Sequence, residues 1–376
     1  MKVIHIVESL HKGAVENWLI RMYKYGIENG HKLDWTFYCI ESFAGRHEEK
    51  VLALGAKIIH SEYAWSQPFS LVKALRAELK MGCYDVMHCH HDFMSSLYLM
   101  ASFNISIKKI VHVHNMDEHL PTGSKLKAAV LRPILRRVCW LMADNIVGIS
   151  THTLNRFILN RKRIRKKSVV HYCGVEHISF LESEINKEKF CDKYELPQKA
   201  KIILFCARID PIKNPLFAID LFGEIAILDE SYFMLMVGQG GLSEQVKEKI
   251  QKLKLENKVK FIGWSDDIPL ILKNSDVLFY PHLEYPMEGL GLIIVESQLS
   301  RLPIVSSLGV GEEAFFNKNF AKRLSLNDKV SEWHKFLDHY MQTAKVDKED
   351  MFLKFENSPF YMKTAFKNLM NLHETK

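Results

Sequence analysis

Pro281-His282-Leu283-Glu284-Tyr285-Pro286-Met287-Glu288-Gly289-Leu290-Gly291-Leu292-Ile293-Ile294-Val295-Glu296 follows the apolar run Asp276–Tyr280 and carries Glu288 and Glu296 with seven residues between them. The pattern predicts a strand at Asp276–Tyr280, a loop ending in a glycine pair, and an apolar helix starting near Leu290. Glu288 then lies in the loop at the helix N-terminus, and Glu296 lies inside the helix after Leu292-Ile293-Ile294-Val295. A carboxylate beside such an apolar face is costly unless it is bonded. Sugar hydroxyls are suitable donors to it; a structural Lys or Arg is the plainer alternative. The free N–H groups of Gly289, Leu290 and Gly291 suit a phosphate.

The strand-then-helix unit recurs on both sides of this stretch. Expected strands are Val3–Val7, Leu33–Cys39, Asp85–His90, Ile110–His114, Asn145–Ser150 and Ser168–Tyr172, then Lys201–Ala207, Phe233–Val237, Val259–Gly263, Asp276–Tyr280 and Pro303–Ser306. Amphipathic stretches such as Val15–Glu28, Leu126–Met142 and Leu216–Leu228 lie between them. Near-continuous apolar strands alternating with helices imply parallel sheets covered on both faces, and the pattern runs twice. At 376 residues the chain suits two domains. The expected division is residues 1–180, a polar linker at 181–199, and residues 200–357. A last amphipathic helix, 358–376, starts at Ser358-Pro359. Open α/β sheets bind ligands beyond the carboxyl ends of their strands, so two such sheets facing each other would share one cleft.

Composition excludes several classes. The longest apolar runs, such as Ile202–Ala207, fall far short of the roughly 20 residues of a membrane span. Met1-Lys2-Val3-Ile4-His5-Ile6-Val7 reads as a first strand rather than a secretory signal, so a cytoplasmic protein is expected. The seven cysteines form no C-x-x-C pair, and reduced, mostly buried thiols are expected. The net charge of +7 is unevenly spread, with Arg132, Arg136 and Arg137 in one stretch and Arg161–Lys167 in another. Leu126–Met142 combines such a basic side with Val130, Leu131, Ile134 and Leu141. It reads as a core-facing helix with a solvated basic face, or as a helix on anionic lipid. The Arg161–Lys167 run has no interleaved aromatic residue, which argues against single-stranded nucleic acid.

Other candidate residues follow strands. Arg208 ends one strand and Lys213 opens the next helix; two cations at a strand exit fit a diphosphate, or cap a surface loop. Gly13 lies in a small-residue turn after the first strand. His114 ends another strand, where it would donate a hydrogen bond to a bound sugar or serve a structural role. His88-Cys89-His90-His91-Asp92 invites a metal reading, but His88 and His90 point away from Cys89 and no second ligand pair follows at zinc spacing, so no metal is expected. Gly238-Gln239-Gly240 lacks the third glycine of a dinucleotide fingerprint. Gly263-Trp264 forms a turn able to edge a base, or a plain turn.

Together these elements resemble glycosyltransferase family 4, the large retaining group with the GT-B fold of two Rossmann-like α/β domains facing across a cleft. Glu288 and Glu296, with Gly289 and Gly291, resemble its E-x7-E signature, and Arg208 with Lys213-Asn214 its diphosphate element. Gly13-Ala14-Val15-Glu16 resembles its N-terminal glycine loop, His114 its strand-end histidine, and Tyr172-Cys173-Gly174-Val175-Glu176 its N-G-V-D turn. Val237-Gly238-Gln239-Gly240 and Phe261-Ile262-Gly263 match two turns of its C-terminal domain. Ala14, Ala207, His282 and Arg301 depart from the commoner residues.

The resemblance implies a metal-independent enzyme without a cofactor, moving a sugar from a nucleotide-sugar to a saccharide or lipid-linked acceptor in surface polysaccharide synthesis. Bacterial enzymes for capsule, exopolysaccharide or O-antigen are the nearest in kind. By it, Arg208, Lys213 and the backbone around Gly289–Leu292 and Gly13 hold the diphosphate, and Glu296 binds the ribose. Glu288 contacts the sugar, His114 sits over it, and Gly263 and Trp264 edge the base. By it too, the last helix, 358–376, returns to the first domain; the basic first half, for its part, fits a lipid-linked acceptor and peripheral contact with anionic membrane at the inner face, and no nucleic acid is expected. The alternatives are a sugar-nucleotide epimerase on the same fold and an inactive transferase-like partner in a membrane assembly.

Overall fold

The computed structural model describes residues 1–11, 14–115, 125–182, 186–342 and 346–375. They form two compact units, Met1–Gly174 with Met362–Lys376, and Val175–Tyr361.

The first unit is built on strands β1 (Lys2–Val7), β2 (Asp34–Cys39), β3 (Lys57–His60), β4 (Val86–Cys89), β5 (Lys108–Val113), β6 (Asn145–Gly148) and β7 (Ser168–Val170), all parallel, in the order β3-β2-β1-β4-β5-β6-β7. One face carries Ile4, Ile6, Met87, Cys89, Val111 and Val113 into an apolar core. Because successive side chains alternate, the other face receives His5, His88, His90 and His112. The strands are therefore less uniformly apolar than the sequence pattern implies. The imidazoles are tolerated because they hydrogen-bond to one another.

Helix Met362–Glu374 packs on the first helix, Ala14–Glu28. Gly26 permits the approach: a Cβ there would stand 2.8 Å from the Phe366 ring. This helix starts later than the Ser358-Pro359 signal predicts. The Ser358 hydroxyl instead donates to the Phe355 carbonyl and accepts from the Phe360 N–H, making a turn.

The second unit has strands β8 (Lys201–Cys206), β9 (Tyr232–Val237), β10 (Val259–Gly263), β11 (Val277–Tyr280), β12 (Ile304–Ser307) and β13 (Ala321–Leu324), again parallel, in the order β10-β9-β8-β11-β12-β13. Phe205, Met234, Met236, Phe279 and Val305 pack with Trp333 and Phe222 in its core. The polar stretch read as a linker contains helix Lys187–Lys193, capped by the Asn186 side chain. Lys187 reaches the Asn274 carbonyl and the Asp276 carboxylate, which seats this segment in the second unit.

Helix Lys125–Met142 exposes Leu126, Val130, Leu131, Ile134 and Leu141. Ala128, Leu135, Cys139 and Trp140 face the core, and Arg136 lies over the Phe93 ring at 5.0 Å. Apolar side chains thus stand outward where a solvated basic face was one expectation. No described helix is long and apolar enough to cross a membrane.

Candidate functional site

Strand β11, between β8 and β12, ends at Tyr280, and the loop after it brings back Glu288. The Tyr280 hydroxyl donates to the Glu288 carboxylate at 2.7 Å. The Lys213 ammonium donates to the Tyr280 oxygen at 3.0 Å and pairs with the same carboxylate. His282 Nε2 lies 3.6 Å from that carboxylate, while Nδ1 donates to the Leu283 carbonyl at 2.7 Å. Burial alone would push the Glu288 carboxyl up. The charges of Lys213 and His282 and the bonds from Lys213 and Tyr280 outweigh it and hold the group at about 2.

Backbone contacts fix this arrangement. Leu283 N–H donates to the Ile212 carbonyl at 2.9 Å, tying the loop to the Lys213 turn, and Glu288 N–H donates to the Gly309 carbonyl at 2.8 Å. Gly309 leaves room for the loop, since a Cβ there would stand 2.1 Å from the Leu283 oxygen. Glu284 accepts from the Ser325 hydroxyl at 2.9 Å and the Leu326 N–H at 2.8 Å.

The helix begins at Leu292, two residues later than expected, with Gly291 at φ 71° as its N-cap. Leu290 is buried, and the Ile294 N–H turns back to the Gly291 carbonyl. The first-turn donors therefore lie nearer Leu292 and Ile293 than Gly289 and Leu290. A Cβ on Gly291 would stand 3.1 Å from Glu288 Cγ. Glu296 is half-buried on this helix. Burial and the Glu296 charge push the Cys206 thiol up to about 12, which places Glu296 near the end of β8.

Arg208, just past β8, is largely exposed and pairs with Asp210 at 2.7 Å. Gly238 turns behind it at φ 138°, and a Cβ there would collide with the Ala207 oxygen at 1.8 Å. Gly238 N–H donates to the Gly263 carbonyl at 2.8 Å, so the β9 and β10 exits are joined. Trp264 stands exposed beside them, its indole N–H donating to Asp266 at 3.2 Å.

In the first unit His114 is buried just past β5. Its backbone N–H donates to Asp92 Oδ1 at 2.7 Å, and Asn115 Nδ2 donates to Asp92 Oδ2 at 3.1 Å. Burial pushes the Asp92 carboxyl up to about 7, against those two bonds. Gly13 lies outside the described residues. Arg132, Arg136 and Arg156 line a cavity with Asn115, Thr153, Phe93, Val113 and Phe157.

The structure thus joins Lys213 to Glu288 directly and groups Gly291 with them. It sets Arg208 and Glu296 at the β8 end and Gly263 and Trp264 at the β10 end. Tyr280, His282, Asp210 and Asp92 were not singled out as site residues. Tyr280 had a signal as the last residue of the strand feeding the loop; Asp92 had one only as the last residue of the stretch weighed as a metal site. Among the described residues, His5, His88 and His373, and separately His88, His90 and His112, have nitrogens within 4.8 Å of one another.

Residues 15–177 match the model of Glycosyltransferase Family 4, and residues 186–346 match that of Glycosyl transferases group 1. The chain is 23% identical over 345 residues to EpsF of Bacillus subtilis (strain 168), named as a glycosyltransferase, covering 88% of this chain and 85% of that one. It is 28% identical over 274 residues, 69% of this chain and 66% of the relative, to an Escherichia coli UDP-Gal:alpha-D-GlcNAc-diphosphoundecaprenol alpha-1,3-galactosyltransferase. Among solved structures, a Rickettsia africae glycosyltransferase superposes with a TM-score of 0.80 at 21% identity, over 99% of this chain and 97% of that one. Anabaena HepE, crystallised with UDP, superposes at 0.78 and 18% identity over 99% of each chain. The fold is GT-B, and two matched models that together span residues 15–177 and 186–346 make this chain a glycosyltransferase belonging to the group 1 glycosyl transferases of family 4.

Proposed function

We propose that the enzyme moves a sugar, with retention of configuration, from a nucleotide-sugar to a saccharide or lipid-linked saccharide in surface polysaccharide synthesis. The observation that carries this reading is the Lys213–Tyr280–Glu288 group at the end of β11. It holds a cation and an ionised carboxylate side by side where an open α/β sheet takes its ligand. Lys213 and Arg208 neutralise the departing diphosphate, with first-turn N–H groups of helix Leu292–Leu299 and Gly13 assisting. Glu288 orders the sugar hydroxyls, Glu296 the ribose, and Gly263 with Trp264 edge the base. His114 faces the transferred sugar and stabilises developing charge. With two protein cations on the leaving group, no metal is required.

The first unit supports an anionic acceptor. Three guanidinium groups, Arg132, Arg136 and Arg156, surround one cavity beside Asn115, the neighbour of His114. The outward Leu126, Val130, Ile134 and Leu141 suit contact with a membrane surface, at the inner face of the plasma membrane. One relative, named for transfer of galactose to a GlcNAc-diphosphoundecaprenol, supports this reading.

Thermal-shift screening against UDP-, GDP- and ADP-sugars identifies the donor. Labelled transfer from that donor into lipid and saccharide acceptors, in the presence of EDTA, tests the rest. Stabilisation by one sugar-nucleotide and transfer without divalent metal are expected. A strict metal requirement, or Lys213→Ala transferring as well as the wild type, would refute the diphosphate assignment.

A further inference from the structure

Six histidines of the first unit form two hydrogen-bonded rows. One runs from His5 Nδ1 to His90 Nε2 at 3.1 Å, then from His90 Nδ1 to His114 Nε2 at 3.1 Å. The other runs from His373 Nε2 to His88 Nδ1 at 3.0 Å, then from His88 Nε2 to His112 Nδ1 at 3.2 Å. All six rings are buried. Burial, and then neighbouring imidazoles, push their pKa values down, so the rings are neutral.

A neutral imidazole has one N–H and one bare nitrogen. Each contact in a row therefore needs one donor and one acceptor. Three rings in line satisfy this in two ways only, with every proton on the same side of its ring along the row. In the first row the inner end decides between them. His5 Nε2 is buried and has no hydrogen-bond partner. A proton there would be an orphaned N–H, which folded proteins avoid more strongly than an under-used acceptor. The closest aromatic ring, Trp35, is tilted at 52° with centroids 4.3 Å apart, not edge-on. The proton of His5 therefore sits on Nδ1 and is donated to His90 Nε2, and the proton of His90 sits on Nδ1 and is donated to His114 Nε2. That leaves the proton of His114 on Nδ1. The second row has orphaned nitrogens at both ends, His373 Nδ1 and His112 Nε2, and selects no direction.

We propose that His5 and His90 are positioning residues that hold His114 in its Nδ1–H tautomer. His114 then offers a hydrogen-bond donor, not an acceptor, beyond the end of β5. Asp92 fixes the backbone of His114 and His90 fixes one edge of its ring, so the donor has a set direction. The catalytic consequence rests on the reading of His114 as the residue facing the sugar, to whose oxygen this N–H donates. The nitrogen spacing also resembles a metal site, but the ionisable groups acting on these rings are other histidines and Lys108, with no carboxylate among them. A dication there would lack a counter-charge.

Long-range proton–nitrogen correlation spectra of the full-length enzyme labelled with 15N-histidine read each tautomer directly, with His114 assigned through His114→Gln. Nδ1 is expected to be protonated in His5, His90 and His114. In His5→Phe the His114 tautomers should mix and kcat should fall about tenfold, with the donor KM changed far less. His5→Gln, whose amide N–H can donate to His90 Nε2, should restore both. A proton on His114 Nε2 in the wild type, an unchanged His114 signal in His5→Phe, or a stoichiometric metal by elemental analysis would overturn the proposal. If His5→Phe does not fold, the wild-type spectrum alone decides. The two readings fail separately: full activity of His114→Gln removes the sugar-facing role and leaves the tautomer result intact.

Discussion

On one face of the first unit's sheet the buried polar groups are imidazoles that satisfy one another as neutral donors and acceptors. At the strand ends of the second unit a lysine, a tyrosine and a carboxylate satisfy one another through charge. The two sheets share the same strand order, 3-2-1 followed by 4-5-6 along each unit's own chain. Topology therefore fixes where polar groups emerge and leaves their protonation chemistry to the side chains. A neutral network is set by tautomer and an ionic one by pairing, so the two should respond to different perturbations.

Removing the cation from the second unit should have the largest effect. Lys213→Ala leaves Glu288 with its Tyr280 and His282 neighbours but without the ammonium, and removes the cation proposed to meet the leaving group. Transfer should fall about 10²- to 10³-fold in kcat, measured at saturating donor, with Lys213→Arg recovering part of it. Equal kcat in Lys213→Ala would remove charge pairing as the organising feature of this site.

Gly238→Ala tests the same region through its backbone. The new Cβ would overlap the Ala207 oxygen at a φ that L-residues rarely adopt. Denaturant unfolding should show a loss of about 3 kcal/mol. A loss below about 0.5 kcal/mol would show that the turn relaxes freely.

Acid separates the units more gently. The buried histidines have pKa values below their ordinary value near 6.5, reaching about 3 for His114 and His373. The unfolded chain binds their protons first, so the stability they contribute is complete above about pH 6.5 and is lost as pH falls towards 3. Glu288, held at about 2, contributes stability that is complete above its unfolded value near 4.5 and is lost as pH falls towards 2. Hydrogen exchange at pH 5.5 against pH 7.5 should therefore show β1, β4 and β5 losing protection while β8 and β11 keep theirs. Equal loss in both sheets would contradict the assignment.

The smallest effect is expected at Glu296. Glu296→Gln keeps shape and removes charge, so the donor KM should rise about tenfold with kcat nearly unchanged. The Cys206 thiol, pushed up partly by that charge, should titrate lower. A large drop in kcat would replace the proposed ribose binding by Glu296 with a part in the reaction itself.

Much of this was legible in the chain. Alternating apolar runs announced two parallel sheets, and the strand exits at Arg208–Lys213 and Pro281–Glu296 announced where Lys213 and Glu288 emerge, side by side, in the second. What escaped depends on contacts between residues far apart in sequence. Tyr280 reads as a core strand residue until Lys213, 67 positions away, meets its hydroxyl. His5, His90 and His114 read as separate histidines on separate strands; only β1, β4 and β5 lying side by side make them a row. Asp92 stood in the sequence only at the end of a stretch weighed as a metal site, and its role comes from a turn at φ 44° that brings its carboxylate to the His114 N–H. The helix start shifted from Leu290 to Leu292 because Leu290 is drawn into the core and Gly291 alone tolerates the left-handed cap.

Calorimetric titration of UDP, GDP and ADP onto the wild type and Lys213→Ala, in EDTA, tests the central claim most directly. The account predicts that one nucleoside diphosphate binds the wild type without metal, and that Lys213→Ala binds it at least about tenfold more weakly, a loss of about 1.4 kcal/mol or more. Equal affinity in the two proteins, or binding only after a divalent cation is added, would contradict it.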